Sequence, residues 1–223
     1  MRKLNPFNFN NFFKKEKYIP YGRQHVTRGD IKEVINILRS DFLTQGPAID
    51  SFEEAISKYL NCKYSISVNS GTSGLHIACK ALGLRKGDLL WTSPTTFVAS
   101  ANCAKYCGAE VDFVDIDIDT GLISTIKLEE KLKLAEKSGR LPKIVIPVHL
   151  GGASCDMKKI FSLSKKYNFK IIEDASHALG GKFFNQLIGN CTYSQITVFS
   201  FHPVKMITTG EGGMITTNDP KLA

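Results

Sequence analysis

Short apolar runs alternate with longer amphipathic segments along most of this chain. The runs have the composition of buried strands, while the segments between them repeat apolar residues at the spacing of a helix. Strands that alternate with helices are typical of a mostly parallel sheet covered by helices on both faces. The sequence therefore predicts an α/β fold with a doubly wound, mostly parallel sheet of seven strands, at 64–68, 89–92, 110–116, 143–148, 170–173, 196–201 and 214–217.

Two helices are predicted before the first strand. The first has Asp30 as its N-cap and an apolar face at i, i+3, i+4 and i+7 that begins at Ile31. Turn residues then end it. The second helix, 52–60, follows a capping-box pattern formed by Asp50 and Glu53.

Composition and charge exclude several classes of protein. The chain has 223 residues, 43% of them hydrophobic and 22% charged, which suits a globular domain with a substantial core. The first 17 residues carry five Lys or Arg and one Glu, and so hold half of the formal net charge of +8. The remaining positive charge forms no stripe with aromatic residues, so no nucleic-acid partner is expected. We interpret residues 1–17 as a basic mobile tail.

The cysteines and the apolar runs indicate a reduced, cytoplasmic protein. Six cysteines form no CxxC pair and no Cys/His spacing typical of a metal site. The acidic run 115–119 departs from the calcium-loop pattern at its glycine and at its last ligand. No apolar stretch has the length of a secretory signal or a membrane span. We therefore expect no metal and no membrane association.

Ligands of doubly wound sheets bind beyond the carboxyl ends of the strands, so residues that follow strands are the candidates for function. Lys205 lies between the sixth and seventh strands, close to Pro203 and Glu211. A lone lysine there either extends to solvent or pairs with Glu211. In a partly dry pocket it instead loses its proton more easily and forms a Schiff base with a carbonyl compound. Pyridoxal phosphate (PLP) is the common biological partner, and it also needs a carboxylate and a phosphate site.

A carboxylate of this kind follows the fifth strand. Asp174 is placed to point into the crevice, where a buried carboxylate needs a cation such as a protonated pyridine nitrogen. The alternative is an aspartate that caps the next turn. His177 either stacks on a cofactor ring or orients Asp174, or else it is a structural histidine with satisfied hydrogen bonds.

A candidate phosphate site follows the first strand. The residues 70–73, with the sequence Ser-Gly-Thr-Ser, open a helix whose free N–H groups and dipole attract an anion. A simple serine N-cap gives the same sequence. The segment is not G-x-G-x-x-G and no acidic residue follows at the distance of a ribose ligand, which argues against a dinucleotide-binding oxidoreductase.

Taken in chain order, these segments resemble the PLP-dependent nucleotide-sugar aminotransferases of the DegT/DnrJ/EryC1/StrS family. The resemblance extends over residues 18–223 and rests on LTQGP from Leu43, NSGTS from Asn69, SPTTF from Ser93, EDASHALG from Glu173 and SFHPVKMITTGEGG from Ser200. It implies the large domain of PLP-dependent enzymes of fold type I. It also argues against a sister branch that deoxygenates sugars, because that branch has histidine in place of Lys205.

The resemblance implies a role for each matching residue. Lys205 would bond the cofactor and move the proton of the amino acid, and Asp174 would pair with the pyridine nitrogen. His177 would lie near the ring, and Phe97 would stack on it. The phosphate would be held by Gly71, Thr72, Ser73 and Ser200. The sugar nucleotide would be contacted by Tyr21, Asp41, Phe42, Leu43 and Thr44.

The resemblance also implies substrates and partners. L-Glutamate is the family's usual amino donor, and the acceptor is a nucleotide-linked keto-sugar. Within the family the chain is most similar to enzymes that aminate C4 of a UDP-linked 4-keto-6-deoxy-N-acetylhexosamine on the route to pseudaminic acid-type sugars of surface polysaccharides or flagellar glycans. The full-length enzymes are homodimers.

Length is the main departure from the family pattern. Members continue into a smaller C-terminal domain, whereas this sequence stops at Ala223. We therefore expect a PLP-binding large domain at 18–223 and no small domain, as in a truncated or split product. The alternative function is an inactive PLP-binding fragment that needs a C-terminal partner chain.

Overall fold

The computed structural model describes Pro20 and residues 22–223, so the basic segment 1–17 and Tyr21 lie outside the described residues. Helices α1 to α6 span Arg28–Leu38, Pro47–Leu60, Gly71–Ala81, Ala99–Tyr106, Thr125–Ser138 and Met157–Tyr167. Strands β1 to β9 span Tyr64–Val68, Leu89–Thr92, Glu110–Phe113, Ile144–Ile146, Lys170–Asp174, Lys182–Phe183, Gln186–Leu187, Ile196–Ser200 and Gly213–Thr217. None of the helices in this part of the chain is both long and apolar enough to cross a bilayer.

Seven strands form one sheet in the order β1-β9-β8-β5-β4-β2-β3. Strand β9 is antiparallel to both of its neighbours, β1 and β8, and the other pairs are parallel. The expected α/β fold with a mostly parallel, seven-stranded sheet is therefore confirmed. The short hairpin β6–β7 forms a separate sheet that the sequence pattern did not predict, because two residues per strand leave no periodicity to detect.

The two faces of the sheet are covered by different helices. In β4, Ile144 and Ile146 pack into the core beneath α3 and α4, whereas Val145 packs into the core beneath α5 and α6. All three side chains are fully buried. A strand buried on both faces has a continuous apolar run instead of an alternation, and this is why the middle of the sheet was recognisable from the sequence.

The starts of the first two helices differ from the sequence-based expectation. Thr27, and not Asp30, is the N-cap of α1: the Thr27 hydroxyl accepts from the Asp30 N–H, and the Thr27 N–H donates to the Asp30 carboxylate at 2.6 Å. Helix α2 starts at Pro47, directly after Gly46, because proline fits the first helical position. The predicted capping box of Asp50 and Glu53 is therefore wrong.

The apolar face of α1 is exposed. Val34 and Leu38 are 59% and 64% exposed, and no residue of this helix is buried in the described structure. Its amphipathic pattern therefore predicted the helix correctly without indicating a place in the core.

Three predicted strands are shorter in the structure, and 196–201 loses only its last residue. Strand β3 ends at Phe113, before the segment that leads to the turn at 118–120, and β4 stops before Pro147. Proline has no N–H to donate to a sheet ladder, so it interrupts β4 there, and a single parallel bridge between Val148 and Asp174 follows it.

A buried hydrogen-bond network links β5 to the segment after β4. The Glu173 carboxylate accepts from His149 Nε2 at 2.8 Å, from Thr197 Oγ1 at 3.0 Å and from the Ser194 hydroxyl. His149 Nδ1 accepts the Cys155 N–H at 3.1 Å, so the proton of a neutral imidazole lies on Nε2 and points at Glu173. Burial alone would raise the pKa of Glu173, but these hydrogen bonds outweigh it and hold the pKa below its ordinary value.

We expect Glu173→Gln to destabilise the fold at neutral pH by about 1.5–3 kcal/mol, the range for a hydrogen bond to a charged group. Because the folded-state pKa of Glu173 is lowered, its contribution is present above the unfolded pKa of about 4.3 and is lost as pH falls through the folded value. The gap between wild type and variant should therefore begin to narrow below about pH 4 and continue to narrow as the pH falls through the folded value. Urea unfolding at pH 7 and below pH 4 measures it, with the exposed Glu54→Gln as control. An equal gap at both pH values would contradict the assignment.

Candidate active site

A cavity of about 510 Å³ lies at the carboxyl ends of the parallel strands. Its size is typical of a small-molecule site. The loops that follow β1, β2, β4, β5 and β8 all contribute to its lining, which includes Gly71, Thr72, Phe97, Asp174, His177, Ser200 and Lys205. The structure thus brings together seven of the site residues predicted for cofactor binding and catalysis, although they lie far apart in the sequence.

One end of the cavity is the start of helix α3. Ser70 is the N-cap of this helix, and its hydroxyl accepts the Ser73 N–H at 3.1 Å. The N–H groups of Gly71 and Thr72 belong to the first turn, where a helix provides no carbonyl for them. They border the cavity and form, with the helix dipole, a site suited to a phosphate. Ser73 is not among the residues that line the cavity, and its hydroxyl lies 2.9 Å from the hydroxyl of the N-cap residue Ser70.

The helix start is packed tightly against strands β8 and β9. A Cβ atom on Gly71 would lie 3.1 Å from Ser200 Cβ, and one on Gly213 would lie 2.7 Å from the carbonyl carbon of Ser70 and 2.8 Å from the Gly71 nitrogen. The contacts of Gly213 are with backbone atoms, which cannot rotate away. The position of the first turn of α3 thus depends on glycine at 213.

We expect Gly213→Ala to displace the start of α3 and weaken phosphate binding, with a loss of folding stability of about 1–3 kcal/mol, as for overpacking in a core. Gly22→Ala is the matched control, because a Cβ there meets nothing within 4 Å. Thermal unfolding and the affinity for PLP measure the two effects. Wild-type values for Gly213→Ala would show that the close approach is not required.

Asp174, the last residue of β5, is 4% exposed and borders the cavity. Its Oδ1 accepts the Ser176 N–H at 3.1 Å and the Ser176 hydroxyl at 2.7 Å. Its Oδ2 accepts the Ser100 hydroxyl at 2.6 Å. A buried carboxylate held in this way is well placed to accept one more proton donor, preferably a cationic one.

Lys205 lies on the long connection between β8 and β9, as the sequence predicted. Two hydrogen bonds fix the base of this connection: the Phe201 N–H donates to the Gly212 carbonyl, and the Thr208 hydroxyl donates to the Phe201 carbonyl, both at 2.9 Å. Lys205 is half-buried. Burial lowers its pKa below the ordinary lysine value, although the charge of Asp174 acts in the opposite direction. A lysine with a lowered pKa is a better nucleophile near neutral pH.

His177 and Phe97 complete the walls. Burial, together with the positive charge of Lys205, lowers the pKa of His177, and Asp174 opposes this shift. The Gly151 N–H donates to His177 Nδ1 at 3.3 Å, so the neutral ring carries its proton on Nε2. Phe97 is 70% exposed and presents an aromatic surface beside the cavity.

The sequence did not identify every residue at the site. Ser100 and Ser176 donate to Asp174, and Thr96 and His149 line the cavity, yet none was a candidate. A serine two residues after an aspartate is a common local motif that could have pointed to Ser176. Ser100 could have been noticed as a hydroxyl on the apolar face of α4.

Of the predicted sugar-nucleotide residues, the four that the structure describes are not among the residues that line this cavity. Asp41 to Thr44 lie in the loop between α1 and α2 and are exposed. Asp41 and Phe42 line a different cleft of about 310 Å³. Tyr21 lies outside the described residues. Their contact with a sugar nucleotide stays a prediction.

The site residues match the cofactor that the sequence suggested, since an amine, a buried carboxylate and an anion site surround one cavity. The model of the DegT/DnrJ/EryC1/StrS aminotransferase family matches residues 24–223. This chain belongs to that family. The expected aminotransferase resemblance is thereby confirmed, and the family's members are transferases of sugar biosynthesis.

Relatives and solved structures agree with this membership. A UDP-4-amino-4,6-dideoxy-N-acetyl-β-L-altrosamine transaminase of Campylobacter jejuni is 42% identical over 204 residues, which are 92% of this chain and 52% of the relative. The spore coat polysaccharide biosynthesis protein SpsC of Bacillus subtilis is 37% identical over 210 residues, 94% of this chain and 52% of that protein. The chain thus spans about half the length of the curated relatives it matches.

Among solved structures, Helicobacter pylori PseC, an aminotransferase involved in the biosynthesis of pseudoaminic acid, superposes with a TM-score of 0.85 at 33% identity. The match covers 92% of this chain and 54% of PseC. NtdA of Bacillus subtilis, solved with bound PMP, superposes with a TM-score of 0.77 at 31% identity and covers 88% of this chain and 44% of NtdA. The expected cofactor, pyridoxal phosphate, is confirmed for this family.

Proposed function

We propose that this chain is the cofactor-binding part of an enzyme that transfers an amino group from L-glutamate to a nucleotide-linked keto-sugar. The observation that carries the proposal is the convergence on one cavity of Lys205, Asp174 and the start of α3. These are the three groups that PLP requires: an amine, a partner for the ring nitrogen and a phosphate site.

Each residue has a distinct task in this proposal. The cofactor, when bound, withdraws electrons from the Cα of the amino acid. Lys205 would accept the proton of that Cα at its Nζ and donate it again, which its lowered pKa favours. Asp174 keeps the ring nitrogen protonated, and the N–H groups of Gly71 and Thr72 hold the phosphate together with the Ser200 hydroxyl. Phe97 covers one face of the ring, and His177 offers Nε2–H as a donor.

The proposed acceptor is a UDP-linked 4-keto-6-deoxy-N-acetylhexosamine, aminated at C4 for a surface polysaccharide or flagellar glycan. The 42% identical Campylobacter relative is a UDP-4-amino-4,6-dideoxy-N-acetyl-β-L-altrosamine transaminase, which supports this choice. Tyr21 and Asp41–Thr44 are the proposed contacts of the sugar nucleotide. We also propose a cytoplasmic homodimer as the working form.

The extent of the match favours a second candidate. The chain spans about half the length of its relatives. We propose that residues of the other half of such a relative cover the cavity where Phe97 and Val204 are exposed, with Val204 47% exposed. The 223 residues would then bind PLP weakly and turn over negligibly until a C-terminal chain is supplied. Both candidates share the same cofactor site.

Transfer of ¹⁵N from labelled glutamate to a UDP-4-keto sugar tests the proposal. The chain is assayed with and without the C-terminal half of a family member, and the same UDP-sugar reduced at C4 serves as the control acceptor. We expect ¹⁵N in the keto-sugar product only when both halves are present. Turnover by the chain alone would refute the second candidate, and no transfer in any combination would refute the proposed acceptor.

A further inference from the structure

The hydroxyl of Ser100 has an unusual hydrogen-bond acceptor for a buried helical serine. Such serines commonly donate to the carbonyl three or four residues earlier. Ser164 in α6 does so, with its hydroxyl 2.8 Å from the Phe161 carbonyl. Ser100 has the equivalent carbonyl of Phe97 at 3.3 Å, but Asp174 Oδ2 is at 2.6 Å. The one hydroxyl proton therefore goes to the closer, charged acceptor.

Thr96 extends this contact into a chain of two hydroxyls. Its Oγ1 lies 2.7 Å from Ser100 Oγ. Because the Ser100 proton is committed to Asp174, Thr96 is the donor to Ser100. Both residues belong to the segment that also carries Phe97, so the same segment bounds the ring site and holds the carboxylate.

The donors leave one acceptor position on Asp174. A carboxylate offers about four lone-pair sites, two on each oxygen. Ser176 occupies both sites of Oδ1 with its N–H and hydroxyl, and Ser100 occupies one site of Oδ2. The fourth site is on Oδ2, and Asp174 borders the cavity. Rotation of the carboxylate would break the Ser100 bond, so this hydroxyl fixes the direction of the fourth site.

We propose that Ser100, supported by Thr96, is a positioning residue that directs Asp174 Oδ2 at the ring nitrogen of the cofactor. The proposal rests on the proposed function of the cavity. It gives the segment 96–100 two roles. Phe97 borders the face of the ring, and Ser100 orients the Asp174 carboxylate that contacts the ring nitrogen. Neither serine nor threonine touches the reacting atoms in this arrangement.

The test compares PLP with 1-deazapyridoxal phosphate, in which a carbon replaces the ring nitrogen. Both analogues keep the aldehyde and the phosphate, so they differ only at the atom that Asp174 would contact. The affinity of the apo chain for each is measured by absorbance titration. Variants are Ser100→Ala, Thr96→Val and, as matched control, Ser164→Ala, which removes a buried helical hydroxyl outside the cavity.

We expect the wild-type chain to prefer PLP, and Ser100→Ala to lower the affinity for PLP by about fivefold, a value within the range for a single hydrogen bond. The affinity for the deaza analogue should stay unchanged. Thr96→Val should act in the same direction but less strongly, and Ser164→Ala should change neither affinity. This pattern would establish positioning, because a purely structural loss cannot distinguish the two analogues.

Two results would overturn the proposal. An equal loss of both affinities in Ser100→Ala and Thr96→Val would mean that the hydroxyls only maintain the fold. Unchanged PLP affinity in both variants would mean that the orientation of the Asp174 carboxylate does not depend on these hydroxyls. If the wild-type chain does not prefer PLP over the deaza analogue, the proposed contact between Asp174 and the ring nitrogen is wrong. Failure of the proposed function can therefore be distinguished from failure of the role proposed for Ser100.

Discussion

Lys205→Met abolishes covalent attachment of PLP and, in assays that include the C-terminal half of a family member, lowers the rate of amino transfer by about 10²–10⁴-fold, the usual contribution of a general acid–base group. Methionine keeps an unbranched side chain in the half-buried position but has no amine to bond the aldehyde or to carry a proton. The loss should fall on kcat, because the cofactor's phosphate and ring contacts remain.

Lys182→Met is the control for this substitution, because Lys182 lies on the exposed side of the β6–β7 hairpin. The visible absorbance band of the Schiff base between PLP and lysine should disappear in Lys205→Met and persist in Lys182→Met. Retention of the band after loss of Lys205 would mean that another amine holds the cofactor.

Asp174→Asn should lower the rate of the half-reaction with glutamate by about 10²–10³-fold, as for the removal of one preorganised electrostatic group. An amide does not carry the negative charge that keeps a pyridine nitrogen protonated, so the ring withdraws electrons less effectively. PLP affinity should fall by only about tenfold, since Lys205 and the phosphate site remain.

The exposed Asp119→Asn controls for the change of carboxylate to amide. Stopped-flow absorbance with glutamate gives the half-reaction rate, and equilibrium titration gives the affinity. A wild-type rate in Asp174→Asn would exclude a role for the carboxylate in catalysis, even if the affinity had changed.

The positions of the strands along the chain and the residues near their ends could be predicted because their signals are local. Asp174 ends β5, Lys205 lies in the connection that follows β8, and the carboxyl ends of parallel strands meet at one edge of the sheet. Ser70 opens a helix after a strand and was recognisable for the same reason. A short stretch of sequence is sufficient to place each of these groups.

The residues that were missed depend on long-range contacts. Ser100 lies 74 residues before Asp174 and meets it only because α4 packs over the sheet. His149 and Glu173 are 24 residues apart and pair across two strands. No local pattern distinguishes such side chains from ordinary polar residues.

Helix α1 and the loop after it show a different limit. The periodicity of α1 predicted its secondary structure, but secondary structure alone does not decide what a helix packs against. Its apolar residues are exposed in the described structure. In the same way, the family resemblance assigned Asp41–Thr44 to a substrate, and this contact stays a prediction, because secondary structure and exposure alone do not show what a loop binds; Asp41 and Phe42 line a cleft separate from the cavity.

The most direct test of the cavity as a PLP site is borohydride reduction of the PLP-loaded chain followed by peptide mass spectrometry. Reduction converts the reversible bond between cofactor and lysine into a stable one, so the labelled residue is identified directly. We predict one labelled peptide that contains Lys205. Label on other lysines in proportion to their exposure, with none on Lys205, would contradict the assignment of this cavity.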